Sequence, residues 1–398
     1  MRRHTATALV ALLVLAVSAA PAGAAGGRTP TIRVATYNAS LNRATQGELL
    51  SDLRAGDDQA RAVADIIGTV RPDVLLLNEF DHDPEAAAVF ADDYLGGRYP
   101  YRYTDTCNTG VASGSDLNGD GVVGTSVGTP EYANDALGFG FFPGQFCMLV
   151  LSRFPIDARR VRTYQQFRWA DMPGALLPDD PTTPAPADFY TPEELRLLPL
   201  SSKSHWDLPI RVGPRQTVHL LVSHPTPPTF DGPEDRNGTR NHDEIRFWAD
   251  YISPHRGRYI TDDNGRRGGL PHGAAFVVAG DQNADPFDGD STAGAAQQLL
   301  EHPLINAGRT PASAGGVEDA ALDGGINLSH EGDPAHDTAD FSEPPGNLRV
   351  DYVLPRRSLR IVRSGVFWPT TTQPGHELIA ASDHRMVWID VRLSGRRR

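Results

Sequence analysis

The chain has 398 residues, with 37 Lys and Arg side chains against 50 Asp and Glu, a formal charge of −13. That length suits one large domain or two ordinary ones. The acidic balance argues against a protein that grips nucleic acid by a broad basic surface, and two cysteines are too few for a cysteine-rich zinc site.

The N-terminus reads as an export signal. Arg2 and Arg3 precede a largely apolar run over 8–20, and Ala22-Gly23-Ala24 supplies a small-residue cleavage site. The expected organisation is a signal peptide over 1–24, a flexible lead over 25–30, one domain over 31–393 and a basic tail over 394–398. Cleavage would leave 35 basic side chains against 50 acidic ones. No later stretch reaches transmembrane length, so a secreted or extracytoplasmic protein is expected.

Residues 31–37 (TIRVATY) alternate apolar and polar and predict a strand. Over 57–70, Ala62, Val63, Ile66, Ile67 and Val70 share one helical face, Asp57 or Asp58 is the cap, and Pro72 ends the helix. A short buried strand over 74–77 leads to Asn78 and Glu79. The stretch 96–144 is rich in Gly, Asp, Asn and Thr and predicts a long inserted loop. Within it, Asp116, Asn118, Asp120 and Gly121 form D-x-N-x-D-G, the spacing of a structural Ca2+ site or of an Asx turn. Val127 stands where an EF-hand needs its last ligand, so this is no complete EF-hand. Cys107 and Cys147 either form one disulfide in an oxidising compartment or stay as buried thiols.

A strand is predicted over 146–152 and a second inserted loop near 165–205. The strand over 217–223 delivers His224. A helix covers 241–251. The strand over 275–279 delivers Asp281 and Asn283. Late strands are expected over 348–354, 359–368 and 386–393, and Trp206 is read as a packing residue.

Six strand ends thus carry Asn, Asp, Glu or His. Hard oxygen ligands such as Glu79, Asp383 and the Asn38 amide suit Mg2+, Mn2+ or Ca2+ better than zinc. Phosphoryl transfer to water needs a cation, a base and donors for the developing charge, and the set holds a candidate for each. Arg236 and Arg240 follow His224 closely in sequence, and they and Lys203 are candidate contacts to substrate phosphate.

In order along the chain come Thr36-Tyr37-Asn38, Asn78-Glu79, Ser223-His224-Pro225, Gly280-Asp281-Gln282-Asn283, Arg349-Val350-Asp351-Tyr352-Val353-Leu354 and Ser382-Asp383-His384. This series resembles the endonuclease/exonuclease/phosphatase superfamily over nearly all of 31–392. The resemblance implies an α/β fold, a four-layer αββα sandwich of two packed mixed β-sheets flanked by helices. It implies that Asn38, Glu79 and Asp383 hold a divalent metal, with Mg2+ expected first and Mn2+ or Ca2+ as alternatives. It further implies that Asp281 positions or deprotonates the attacking water and that Asn283 hydrogen-bonds the phosphate. His384 would serve as acid, base or electrostatic stabiliser, with Asp351 orienting it from behind, and His224 would donate to the phosphate or leaving group. Asn78 stands where the family usually has glutamine. The expected activity is metal-dependent hydrolysis of phosphomono- or phosphodiesters by in-line attack of water, on a small substrate. A secreted nuclease acting on DNA or RNA, and an inactive binding module on the same fold, are the alternatives. No protein partner is read from the sequence.

Overall fold

Several strands of this chain are apolar at consecutive positions, and such strands need cover on both faces. The segments VLLLNEF and MLVLS are of this kind. The computed structural model describes residues 31–184 and 186–393. The expected signal peptide, lead and basic tail lie outside the described residues.

The strands are β1 (Thr31–Leu41), β2 (Val74–Phe80), β3 (Tyr101–Tyr103), β4 (Met148–Ser152), β5 (Arg162–Thr163), β6 (Trp206–Gly213), β7 (Gln216–Val222), β8 (Ala275–Asp281), β9 (Ala339–Asp340), β10 (Asn347–Leu348), β11 (Asp351–Pro355), β12 (Arg360–Val366) and β13 (Val387–Arg392). They form a six-stranded sheet in the order β12-β13-β1-β2-β4-β3, a five-stranded sheet in the order β11-β8-β7-β6-β5 and a ribbon of β9 with β10. Each large sheet is mixed, with one parallel pair, β1 with β2 and β7 with β8.

Side-chain alternation sorts the core into three layers. Val34, Leu76, Val150, Leu220, Val277 and Ile389 meet between the two sheets. On the outer face of the first sheet, Ala35, Tyr37, Leu75 and Leu77 pack against Leu49, Leu53, Val63 and Ile67. These last four belong to the helices Glu48–Ala55 and Asp58–Val70. On the outer face of the second sheet, Leu221, Phe276 and Val278 pack against Ile245, Trp248 and Tyr251 of the helix Arg236–Ile252. The order helix, sheet, sheet, helix is the four-layer sandwich expected from sequence. Each fully buried large aliphatic contributes roughly 1.5–3 kcal/mol.

Several boundaries differ from expectation. β1 and β2 run on to Leu41 and Phe80, so Asn38, Asn78 and Glu79 are strand residues. The stretch 348–354 is split: β10 pairs with β9, whereas β11 joins the second sheet. β6 went unread because Asp207 and Pro209 break its apolar run; Asp207 is buried and accepts from His219 Nδ1 and Tyr251 Oη. Trp206 packs edge-on against Tyr103, as expected. The helix Glu48–Ala55 escaped because it is short and fully buries only Leu49 and Leu53.

Neither insertion hangs free. Cys107 and Cys147 form a disulfide, with their Cα atoms 6.0 Å apart. Within 165–205, Phe167, Trp169, Met172, Tyr190, Leu198 and Leu200 join the outer core. The D-x-N-x-D-G loop closes as an Asx turn: the Asp116 carboxylate accepts from the amides of Gly119, Asp120 and Gly121, and Asp120 accepts from Val122.

Candidate active site

Strand direction assembles the site. β1 and β2 end at one edge of the first sheet, and β13, antiparallel to β1, starts there. β7 and β8 end at one edge of the second sheet, and β11, antiparallel to β8, starts there with Asp351 opposite Asp281. Asp351 therefore opens its strand and His384 precedes its own, whereas Asp281 closes its strand, His224 follows its own and Asn38 lies near the end of β1. The two edges meet where Asn38 Nδ2 donates to Asp281 Oδ2 at 3.1 Å, a bond that crosses the sandwich.

Local backbone makes this possible. A Cβ on Gly280 would lie 2.0 Å from the Ser223 carbonyl oxygen, so only glycine lets the ends of β7 and β8 close. Ser40, Glu79 and Asn283 adopt left-handed φ of 48°, 57° and 51°. For non-glycine residues such conformations cost about 1–3 kcal/mol each and gather at functional sites.

Asp281 is the hub. Its Oδ1 accepts from the Asn283 amide at 2.8 Å. Its Oδ2 faces Asn38 Nδ2, His224 Nε2 at 3.3 Å and His384 Nε2 at 3.6 Å. Burial would raise this carboxyl's pKa, but His384 and His224 outweigh it and hold the group well below the usual carboxylate range. His384 Nδ1 bonds Asp351 Oδ2 at 2.9 Å, and Thr338 Oγ1 donates to the same oxygen. Burial opposes a charge on His384, yet Asp351 and Asp281 push its pKa up to about 10. Burial raises Asp351 to about 6, with the His384 charge pulling the other way. His224 is lowered, first by burial and then by the Lys203 charge. Its Nδ1 is buried with no hydrogen-bond partner. Two imidazoles on one carboxylate are thus driven apart: His384 towards the cation, His224 towards the neutral ring.

Glu79 accepts from the amides of Asn38 at 3.0 Å and Asn42 at 2.9 Å, and no cationic side chain among the described residues pairs with it. A half-buried carboxylate flanked only by amides, beside the anionic Asp281, fits a hard divalent cation. Asp383 is exposed at the rim, where its Oδ1 lies near the Ser40 and Ser382 hydroxyls at 3.3 and 3.5 Å. Its charge still reaches His384 and Tyr37. Another carboxylate cluster, Asp319, Asp323 and Asp340, already takes donors from Asn347 and Arg385.

The three basic candidates divide. Lys203 is buried; the charges of Glu244, Glu79 and Asp281 act on it, and its own acts on His224. Arg236 pairs with Glu234 and lies over the Phe189 ring. Arg240 is not a phosphate contact: it is buried and donates to the carbonyls of Leu200, Leu137 and Pro199. Arg240→Ala should therefore cost stability and spare catalysis. Stranding buried carbonyls predicts a loss of about 2–4 kcal/mol, measured by urea denaturation, with kcat of the folded fraction within about threefold of wild type. A collapse of kcat at unchanged stability would return Arg240 to the substrate.

Sequence reasoning missed the residues that tie the site together. Gln59 Nε2 donates to the carbonyls of Ser40 and Ala381. Asn241 Nδ2 donates to Thr226 and Gln282, and Glu244 accepts from Ser202 and Thr226. A signal existed for the last two: Asn241 and Glu244 are polar at positions in helical phase with Ile245 and Trp248.

A buried carboxylate shared by two imidazoles, beside a glutamate with no cationic partner among the described residues, defines a metal-dependent hydrolase of phosphoric esters. The family model described as Endonuclease/Exonuclease/phosphatase family matches residues 35–384, and the chain belongs to that family. No curated protein matches it. Among solved structures, sphingomyelinase C from Streptomyces griseocarneus is 16% identical with a TM-score of 0.50, the match covering 91% of this chain and 99% of that one. An endonuclease/exonuclease/phosphatase from Beutenbergia cavernae is 17% identical with a TM-score of 0.49, covering 92% and 72%. Beta toxin from Staphylococcus aureus, a variant with bound magnesium ions, is 12% identical with a TM-score of 0.45, covering 90% and 99%.

Proposed function

We propose that this protein is a secreted phosphoesterase that hydrolyses small phosphate esters, diesters foremost, with Mg2+ as its metal. The observation that carries the reading is Asp281 Oδ2, one buried oxygen met by the Nε2 atoms of His224 and His384. An alkoxide leaving group needs a proton and an attacking water must lose one, and two imidazoles in different charge states serve those two needs. Asp281 orients the water, staying anionic at neutral pH. His384, held cationic by Asp351, faces the phosphoryl oxygens. His224, neutral, takes the proton that the water loses, and the cationic His384 gives one to the leaving oxygen. Asn283 donates to the phosphate. Glu79 and Asn38, with Asp383 at the rim, would hold the divalent cation, which neutralises phosphate charge and lowers the pKa of a bound water.

Small substrates are favoured because the chain carries an excess of acidic side chains, and because Arg236 and Arg240 are engaged within the fold. A polyanion needs several phosphate contacts along its backbone. Export is supported by the sequence of residues 1–24 and by the disulfide, which suits an oxidising compartment. No helix among the described residues is long and apolar enough to cross a membrane.

The test runs bis(p-nitrophenyl) phosphate, p-nitrophenyl phosphate and supercoiled plasmid DNA side by side with Mg2+. The diester is expected to be turned over best, by kcat/KM. Plasmid cleavage exceeding both esters would replace this reading with the nuclease.

A further inference from the structure

Asp319, Asp323 and Asp340 each bring a carboxylate oxygen within 4.8 Å of the other two. Asp319 and Asp323 are one turn apart on the helix Ala314–Asp323, and Asp340 comes from β9. Asp323 ends its helix, at the negative end of the helix dipole, where a carboxylate is disfavoured and a cation favoured. Two donors reach the group. Arg385 gives Nη2 to Asp340 Oδ2 at 3.2 Å, and Asn347 gives Nδ2 to Asp319 Oδ2 at 2.9 Å. The Asp323 carboxylate takes no hydrogen bond among the described residues. Three carboxylates against one guanidinium leave a surplus of two negative charges, and Asp319 and Asp340 are half-buried. Burial first, and then the Asp319 charge, raise the Asp340 carboxyl above the usual carboxylate range, with Arg385 opposing.

An orphaned oxygen points the same way. Asn347 is 1% exposed, and its Oδ1 has no hydrogen-bond partner among the described residues. Asn347 and Asp340 are directly opposed in the ribbon of β9 with β10, so their side chains leave on one face. The amide that donates to Asp319 thus brings its unpaired oxygen to the carboxylates. A buried amide oxygen without a partner is costly. A divalent cation answers that oxygen and the surplus charge together.

We propose that Asp319, Asp323, Asp340 and Asn347 Oδ1 hold a divalent cation of the Ca2+ kind, separate from the one at Glu79, and that it clamps the helix Ala314–Asp323 to the ribbon. Ca2+ accepts a loose shell of carboxylate, amide and water oxygens, whereas Mg2+ demands a near-ideal octahedron. Ligands from three segments, with exposed Asp323 leaving one side open to water, supply the looser shell. The clamp bears on the active site through the ribbon: Thr338, next to β9, donates to Asp351, and Ala339 bridges to His384. The site stands whether or not the protein is a hydrolase.

Calorimetric titration of Ca2+ into Glu79→Gln, in which the other cation is held weakly, reads this site. One Ca2+ is expected to bind with a Kd on the order of 10⁻⁴ M and, at saturation, to raise the thermal midpoint by about 3–6 °C. Asp323→Asn in the same background should weaken that binding about tenfold or more and remove the thermal shift, because affinity follows the count of ligand charges. Asp323→Asn alone should keep the Mg2+ affinity of wild type. Asp319→Asn should lose Ca2+ in the same way, and it stands in where Asp323→Asn does not fold. A folded Glu79→Gln that binds no Ca2+, or an unchanged Ca2+ affinity in either folded aspartate variant, would overturn the proposal. Neither outcome touches the hydrolase reading, which is tested by turnover with Mg2+.

Discussion

Asp281→Asn should lower kcat for an activated phosphodiester by about 10³- to 10⁴-fold while the protein stays folded. The size of the effect follows from how many groups depend on this one charge. Oδ1 takes the Asn283 amide, and Oδ2 takes Asn38 and faces both imidazoles. An asparagine can satisfy one side only. Its oxygen can serve Asn283, but its NH2 then meets three donors where an acceptor stood. The field that helps keep His384 protonated is also reduced, because Asp281 and Asp351 share that task. His384 and His224 thus lose their common orientation together with the water they act on. Folding should survive, since the surrounding layers are independent of this carboxylate and Asp351 still pairs His384. Stopped assays on bis(p-nitrophenyl) phosphate, beside thermal unfolding of the same sample, read both quantities. Activity within tenfold of wild type would remove Asp281 from the reaction.

Metal removal is expected to have an effect of similar size. Excess chelator should abolish turnover, and Mg2+, Mn2+ or Ca2+ should restore it. Glu79, Asn38 and Asp281 place two carboxylates around one amide. Without a cation that arrangement sets like charges near each other beside an incoming phosphate, itself anionic. Glu79→Gln should therefore weaken Mg2+ binding by about 10- to 100-fold, a loss readable by calorimetry even in an inactive protein. Full turnover in excess chelator, or unchanged Mg2+ affinity in Glu79→Gln, would reject this assignment.

Much of the site was legible because its residues carry rare chemistry at strand boundaries. Asn38, Glu79, His224, Asp281, Asn283, Asp351 and His384 were all singled out from short motifs, and the structure gathers them at one edge of the sandwich. The helix Asp58–Val70 was legible too, since five apolar side chains and a capping Asp57 declare it locally. Arg240 shows the limit. Its position shortly after an active-site histidine suggested phosphate, but the loops that supply Leu137, Pro199 and Leu200 turn its guanidinium to their own carbonyls. Nothing near Arg240 in sequence announces those partners, which lie about 40 and 103 positions away. Asp383 shows it in another way: the motif marks the residue as a ligand, and its carboxylate stands exposed beside two serine hydroxyls.

Sequence alone determined the class of chemistry, because hard oxygen ligands and imidazoles are local properties of side chains and because strand alternation is a local property of the backbone. The strand and helix pattern reached an α/β layered domain, and the order of the four layers came with the family resemblance. The charge states were decided by the tertiary structure. His384 is drawn to the cation by Asp351 and Asp281, while His224, an equal imidazole by sequence, is pushed to the neutral ring by burial and by Lys203. That difference is a sum of fields from residues distant in sequence, and it arises only when the two sheets close and Asn38 reaches across to Asp281.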